Sequence, residues 1–345
     1  MVVLGADLHK RSHTIVVIDA TGRKLADKTI SATDAGHLEL RRWAAQWPDR
    51  TWGLEDCRHL SRRLDAELVR AGESVIRVAP KLMAGARQSS REPGKSDPID
   101  ALAVARAVLR EPDLPVATLD GPDRELRLLV DHREDLVGER TRHEQRLRWF
   151  LVELAIDEPK PRSLGRTVVQ VRLGAALVDR TEPVARFGRD LLARIVELSS
   201  AIRALEREIE VLVATQAPTL LALPGCGHLT AAKIVGEAAG IRRFHSKQAF
   251  AIHNGTAPVP VWSGNAVRHR LNRGGNRQLN AALHRIAITQ IRLGGPGKTY
   301  LDHRLASGDT RTEAIRALRR RISDEVFRRL RADEVTRSTD LATAA

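Results

Sequence analysis

The chain has 345 residues, a net charge of +14 and 42% hydrophobic but only 3% aromatic residues, so an aliphatic core is available. That length exceeds one compact domain, and about two or three units are expected. No apolar run approaches the roughly 20 residues a membrane helix needs, and Met1 leads into Val2–Ala6 with no basic leader, which argues against a membrane protein and for the cytoplasm. Cys57 and Cys226 are too far apart in sequence for a zinc or disulfide pattern. The positive charge is read most simply as a polyanionic partner, although arginine-rich coding alone also produces it.

In chain order, Val2–Asp7 is an apolar strand ending in an acid, and Thr14–Asp19 is a β-branched strand closed by Thr21-Gly22. Lys24–Ile30 is a third strand, Ala35–Trp47 has helical spacing, Thr51–Leu54 is a strand, Leu60–Ala71 a helix and Ser74–Ala79 a strand. Strands in meander, then interleaved with helices, make a mixed α/β sheet. Gln88–Asp97 reads as a polar loop, Pro98–Leu109 as a helix, and the breaks at Pro112 and Pro115 place a first domain over 1–115.

Residues 116–215 read as a helical region. Asp123–Leu154 is a long charged helix, and Val184–Val213 carries Leu191, Ile195, Leu198, Ile202, Leu205, Ile209 and Leu212 at alternating spacings of four and three. That heptad seam fits either a hairpin packed within its own domain or a coiled-coil arm for self-association. Residues 216–345 form a third, mainly helical region with turn-rich loops and the basic Arg311–Arg329 helix; the tail after Arg337 is expected to fray.

Asp7 and Glu55 each close an apolar strand, where a desolvated carboxylate is costly unless compensated. A divalent cation is one compensation, and magnesium accepts such oxygen ligands. Two such ions about 4 Å apart can flank a scissile phosphate. Asp97 and Asp100 are three apart and share a helix face, but they also fit a helix start, with Asp97 as N-cap, Pro98 first in the helix and Asp100 completing a capping box.

Leu221–Lys233 contains Pro224-Gly-Cys-Gly227 and matches a helix–hairpin–helix. There Gly225 and Gly227 would let backbone N–H groups approach a phosphate, with Lys233 adding charge; an ordinary interhelix turn is the alternative. Downstream, Ser263-Gly264 sits near Arg268, Arg270, Arg273 and Arg277, which fit phosphate contacts, though a Ser-Gly pair is ordinarily a turn. Gly294-Gly-Pro-Gly-Lys-Thr lacks the first glycine and preceding strand of a P-loop, and Tyr300 reads as packing.

Together these motifs resemble the DEDD insertion-sequence transposases related to the Piv/MooV DNA invertases, described as bridge-RNA-guided recombinases. Gly5-Ala-Asp7-Leu-His-Lys10, Glu55, Lys95-Ser-Asp97-Pro-Ile-Asp100-Ala, the Pro224 hairpin, Ser263-Gly264, Arg273-Gly-Gly-Asn-Arg277 and the Tyr300–Arg321 segment carry the resemblance in order over nearly the whole chain. It implies an RNase H-like, RuvC-type first domain holding Mg2+ through Asp7, Glu55, Asp97 and Asp100. It also implies a nucleophilic Ser263, donor and target DNA, a guide RNA, and dimers or tetramers. An invertase outside any mobile element, a junction-resolving nuclease and a non-catalytic binding protein are the competing readings.

Overall fold

The computed structural model describes residues 1–55, 60–79, 82–83, 96–111, 114, 116–117, 119, 121–157, 159, 163–263, 266–272 and 274–344, with backbone only at 262–263, 266–269 and 340–344. The chain divides into two compact units, Met1–Asp120 and Gly121–Ala345.

The first unit is a five-stranded sheet. Its strands are β1 (Val2–Leu8), β2 (Ser12–Ile18), β3 (Lys24–Ser31), β4 (Arg50–Glu55) and β5 (Val75–Val78), in the order β3-β2-β1-β4-β5. β2 is antiparallel to β1 and β3, whereas β4 is parallel to both β1 and β5. This order, a three-strand meander followed by parallel strands reached through helices, is the RNase H-like arrangement. The helices are α1 (Asp34–Ala44), α2 (Arg62–Arg70) and α3 (Asp97–Arg110).

Strand alternation assigns the two faces. Leu4, Ala6 and Leu8 pack with Leu40 and Ala44 of α1 and Leu64 and Leu68 of α2. Val3 packs with Ala101, Val104 and Ala105 of α3 on the opposite face, which Gly5 and Asp7 share. α3 lies almost on the backbone there. A Cβ on Gly5 would stand 2.3 Å from Ala101 O and 2.4 Å from Ala105 N, and one on Gly53 would stand 2.7 Å from Val108 Cγ2. Two glycines therefore let the helix seat on the sheet. Gly5→Ala should cost about 2–3 kcal/mol through overpacking. An unchanged urea midpoint for that variant would refute this account of the seat.

His13 and His37 lie buried at 2% and 1% exposure under the same sheet, their rings stacked with centroids 5.3 Å apart. Burial, and then the neighbouring His37, pull His13 down to about 4. The folded state therefore holds His13 neutral. Its stabilising contribution is complete above the unfolded value near 6.5 and is lost as pH falls from there toward 4, by on the order of 2–3 kcal/mol. His13→Gln should flatten the fall of melting temperature between neutral pH and pH ~5; an equally steep fall would remove His13 as its source.

The second unit is helical apart from one hairpin. Its elements are α4 (Pro122–Glu153), α5 (Thr167–Val178), α6 (Pro183–Gln216), α7 (Pro218–Leu221), α8 (His228–Ala238), α9 (Lys247–His253), β6 (Val259–Ser263), β7 (Ala266–Arg270), α10 (Arg277–Leu293), α11 (Pro296–Ala306) and α12 (Arg311–Ala344). Prolines open α4, α6, α7 and α11, where the missing N–H costs nothing.

α4 and α6 run antiparallel: Arg133 Nε donates to Glu206 Oε1 at 3.0 Å and Arg194 Nε to Glu139 Oε1 at 3.0 Å, in opposite chain order. Ile195, Leu198, Ile202 and Ile209 of the heptad seam are buried within this chain, so the seam serves a hairpin. Leu126 and Val130 of α4 and Ile209 and Val213 of α6 share one core with α8, α10 and α12. A separate core holds Leu147, Leu151, Leu173, Leu177 and Ile195 at the other end of the hairpin.

Three features differ from the sequence expectations. α5 is an additional helix; its apolar positions lack a stripe as regular as that of α6. The serine segment is a strand pair rather than a loop. The backbone after Arg337 is helical, α12 running through Ala344, with Arg337 on Asp123 and Arg242 on Ser338. No described helix is long and apolar enough to cross a membrane.

Candidate metal centre

Asp7 is the penultimate residue of β1 and 4% exposed. In the parallel β1–β4 ladder Gly5 opposes Gly53 and Ala6 opposes Leu54, so the next residues, Asp7 and Glu55, end neighbouring strands on one face. α3, seated on Gly5 and Gly53, brings its N-terminus to the same place. Asp97 is its first residue and Asp100 lies one turn in.

The N-cap of α3 is Ser96, not Asp97, and Ser96 makes no side-chain cap hydrogen bond. The Asp97 carboxylate instead faces His9, with Oδ1 3.3 Å from His9 Nε2, which is also 3.2 Å from Asp7 Oδ2. The capping reading of Asp97 is therefore not realised. The helix N-terminus still favours its charge.

Burial raises the Asp7 carboxyl above its ordinary range. His9 opposes this, and the negative charges of Asp100, Glu55 and Asp97 add to the rise. All four acids thus act on one another at Asp7. Asp7 Oδ2 is buried and accepts no hydrogen bond, although His9 lies close. A buried, unsatisfied carboxylate oxygen among three more carboxylates is under strong electrostatic strain, which a divalent cation relieves. Asp7, His9 and Asp97 present ligand atoms within 4.8 Å of one another. The donor set is mainly oxygen and fits a hard divalent cation, with one imidazole nitrogen at its edge.

His9 is the site residue that sequence reasoning missed. Its signal was present: residues two apart at a strand end point to one face, and Asp7 and His9 have that spacing.

The expected phosphate-binding residues divide. Gly225 has φ +83°, and a Cβ on it would meet Ile286 O of α10 at 3.0 Å, so close packing accounts for the glycine. Gly227 caps α8 beside Glu206 and Glu210, carboxylates that oppose an anion there. Lys233 is 4% exposed. Its Nζ donates to Asp131 Oδ1 at 3.1 Å and Glu134 Oε2 at 2.9 Å, with Glu237 Oε1 at 4.0 Å. Burial pulls Lys233 down, but Glu134 and Asp131 outweigh it and hold the ammonium charged. These contacts employ Lys233 within the fold, where it docks α8 on α4.

Ser263 ends β6, paired with Ala266 at the end of the ladder. Arg268 and Arg270 occupy alternate positions of β7, and the Arg270 side chain is exposed. Arg277 opens α10 and is exposed, whereas Arg273 lies outside the described residues. The P-loop-like run is an interhelix turn: Gly294 takes φ +76° after α10, and Lys298 pairs with Asp302. Tyr300 packs on the core beneath the Arg321 guanidinium, 4.6 Å from its ring centre.

An RNase H-like sheet that gathers four carboxylates at strand ends and a helix start defines a class: divalent-metal enzymes that cut polynucleotide backbones. Residues 4–156 match a family model described as Transposase, of the DEDD type, and residues 217–302 match the model of the transposase IS116/IS110/IS902 family. The chain belongs to this family of insertion-sequence transposases, enzymes that cut and rejoin DNA.

It is 27% identical to an uncharacterized 44.8 kDa protein of insertion element IS116 from Streptomyces clavuligerus, over 95% of this chain and 94% of that one. It is also 27% identical to the transposase for insertion sequence element IS1328 from Yersinia enterocolitica, over 76% of this chain and 75% of that one. Among solved structures it is similar to T. thermophilus RuvC in complex with Holliday junction substrate, at 15% identity over 34% of this chain and 99% of that chain, with a TM-score of 0.27.

Proposed function

We propose that this transposase cuts and rejoins DNA with Mg2+ held by Asp7, Glu55, Asp97 and Asp100, and with Ser263 as the covalent nucleophile. The observation that carries the reading is the buried Asp7 oxygen that accepts no hydrogen bond and is pressed by three further carboxylates. Bound metal supplies charge neutralisation at the scissile phosphate and at the leaving oxygen. Ser263 Oγ loses its proton and bonds to phosphorus, the 3′-oxygen leaves and takes up a proton, and a 5′-phosphoserine link results. The 3′-hydroxyl of the exchange partner then attacks that link and releases Ser263. Ser263 stands at the end of a two-stranded ladder.

The roles divide along the chain. Residues 1–115 hold the metal, 216–345 carry the serine, and 116–215 mediate self-association into dimers or tetramers. Exposed Trp149, Val152, Val168 and Val171 near one end of the α4–α6 hairpin support that last role, because the heptad seam itself is spent within the chain. Arg268, Arg270, Arg273 and Arg277 contact backbone phosphates. Target choice is delegated to a guide RNA encoded by the element, a reading supported by the net charge of +14. The enzyme acts in the cytoplasm.

The test is to sequence RNA that copurifies with the full chain and to supply it in a Mg2+-dependent strand-exchange assay. One enriched element-derived RNA that is needed for exchange is expected. Recovery of bulk cellular RNA alone would sink the guided mechanism while leaving the metal site standing.

A further inference from the structure

The second unit contains a cavity of about 700 Å3 that belongs to none of the assigned groups except at its rim. α10 supplies Arg277, Asn280 and His284, and α12 supplies Ile315, Arg316 and Arg319. Arg277, Asn280 and His284 are spaced by three and four, as are Thr312, Arg316 and Arg319, so one face of each helix turns to the same space. Among the described residues three guanidiniums meet there, and no aspartate or glutamate lines it.

The amides of the wall are already employed. Asn254 donates to Ser323 Oγ at 2.8 Å and accepts from Thr256, and Asn272 donates to Ile252 O at 3.1 Å and accepts from Gly274 N. Asn280 donates to Asn254 O at 2.9 Å and accepts from Arg319 Nη1 at 2.8 Å. The wall is also rigid: a Cβ on Gly275 would stand 2.3 Å from Gly255 N, so two backbone turns are pressed together.

Arg319 is satisfied only in part, through Nη1 on Asn280. Arg319 Nε is buried and donates to nothing. Burial, and then the like charge of Arg316, lower Arg319 from its ordinary value. Among the described residues no carboxylate is in ion-pair range of Arg277, Arg316 or Arg319, whereas many other arginines are paired, such as Arg133, Arg194, Arg304 and Arg329. A half-buried cation held against a second cation is costly unless an anion completes the site. Guanidinium forks match phosphate oxygens in shape as well as charge.

We propose that this cavity binds a backbone phosphate of a nucleic-acid strand, with Arg316 and Arg319 as its principal ligands and Arg277 at the rim. The volume admits the phosphate with its attached sugar. The inference rests on the chain being a DNA-processing enzyme. It does not depend on the roles proposed for Ser263 or the metal.

The experiment uses the full chain, an Arg316→Gln/Arg319→Gln double variant, the Arg316→Lys/Arg319→Lys pair, and Arg328→Gln as a control outside the cavity. Binding of a short fluorescent DNA duplex and of a short fluorescent RNA is measured over a series of KCl concentrations. Melting temperature is measured in inorganic phosphate and in chloride at equal ionic strength.

The double glutamine variant should bind at least ~10-fold more weakly, and its salt slope should fall by about two. The lysine pair should keep the slope, and Arg328→Gln should change neither. Phosphate should stabilise the wild type and not the glutamine variant, whose melting temperature in chloride should not fall. Weakened binding of DNA alone assigns the phosphate to DNA, and of RNA alone to RNA. The proposal is overturned if both nucleic acids bind the glutamine variant within about twofold of wild type with an unchanged salt slope. It is equally overturned if phosphate gives the unmutated chain no stabilisation beyond chloride.

Discussion

Asp7→Asn should lower metal-dependent strand cleavage by about 10³-fold or more, since the metal's share of transition-state stabilisation is several kcal/mol. The same variant should be more stable than the wild type in chelator. Asp7 is buried, one of its oxygens accepts no hydrogen bond, and burial together with Asp100, Glu55 and Asp97 raises its carboxyl. Removing that charge removes an unfavourable term on the order of 1–2 kcal/mol, or a few degrees of melting temperature in a chain of this size. Mg2+ or Mn2+ should stabilise the wild type in proportion to occupancy and leave the variant unmoved. Melting curves with chelator and with each metal, beside a cleavage assay, separate the two effects. A variant that is less stable without metal, or one that responds to Mg2+ as the wild type does, would show that Asp7 is a structural acid.

Ser263→Ala should reduce strand exchange by at least ~10³-fold, because the covalent step is lost outright. Divalent-metal stabilisation and DNA affinity should stay within about twofold of wild type, since the hydroxyl is assigned no part in either. A covalent protein–DNA species, trapped by denaturation and resolved by mass, should appear with wild type and be absent from the variant. Cleavage that survives in Ser263→Ala would transfer the chemistry to metal-activated water and to a resolving nuclease.

Much of the first unit was legible because its signals are local. The strand at Val2–Leu8 is a short apolar run and that at Ser12–Ile18 a β-branched one, Lys24–Ser31 follows the turn after Asp19, and an acid at the end of an apolar run is conspicuous. What could not be read was the seat of α3. Gly5 and Gly53 look like ordinary strand glycines until a helix is found against them, its backbone 2.3 Å from where a Cβ on Gly5 would be and its Val108 side chain 2.7 Å from one on Gly53. That contact, and not the Asp-Pro-Ile-Asp spacing, separates a site carboxylate from a helix cap at Asp97.

Lys233 misled for a related reason. A lysine one turn into a hairpin helix advertises charge, but its three acidic partners come partly from residues about a hundred positions away. The Val259–Arg270 hairpin was hard to read, since its first run carries a proline and its second, Ala266–Arg270, is mostly basic.

The glycine seat also bears on when the enzyme becomes dangerous. During synthesis the strands carrying Asp7 and Glu55 leave the ribosome well before α3 does, and domains form as units in that order. Until α3 settles onto Gly5 and Gly53, two of the four proposed ligands, Asp97 and Asp100, are missing and the proposed metal site is incomplete. On the proposed division of roles, a chain that stops short of Asp97 has neither the full metal site nor Ser263 and is harmless to the genome encoding it, and competence to cut awaits both the closing of the first unit and the synthesis of the second.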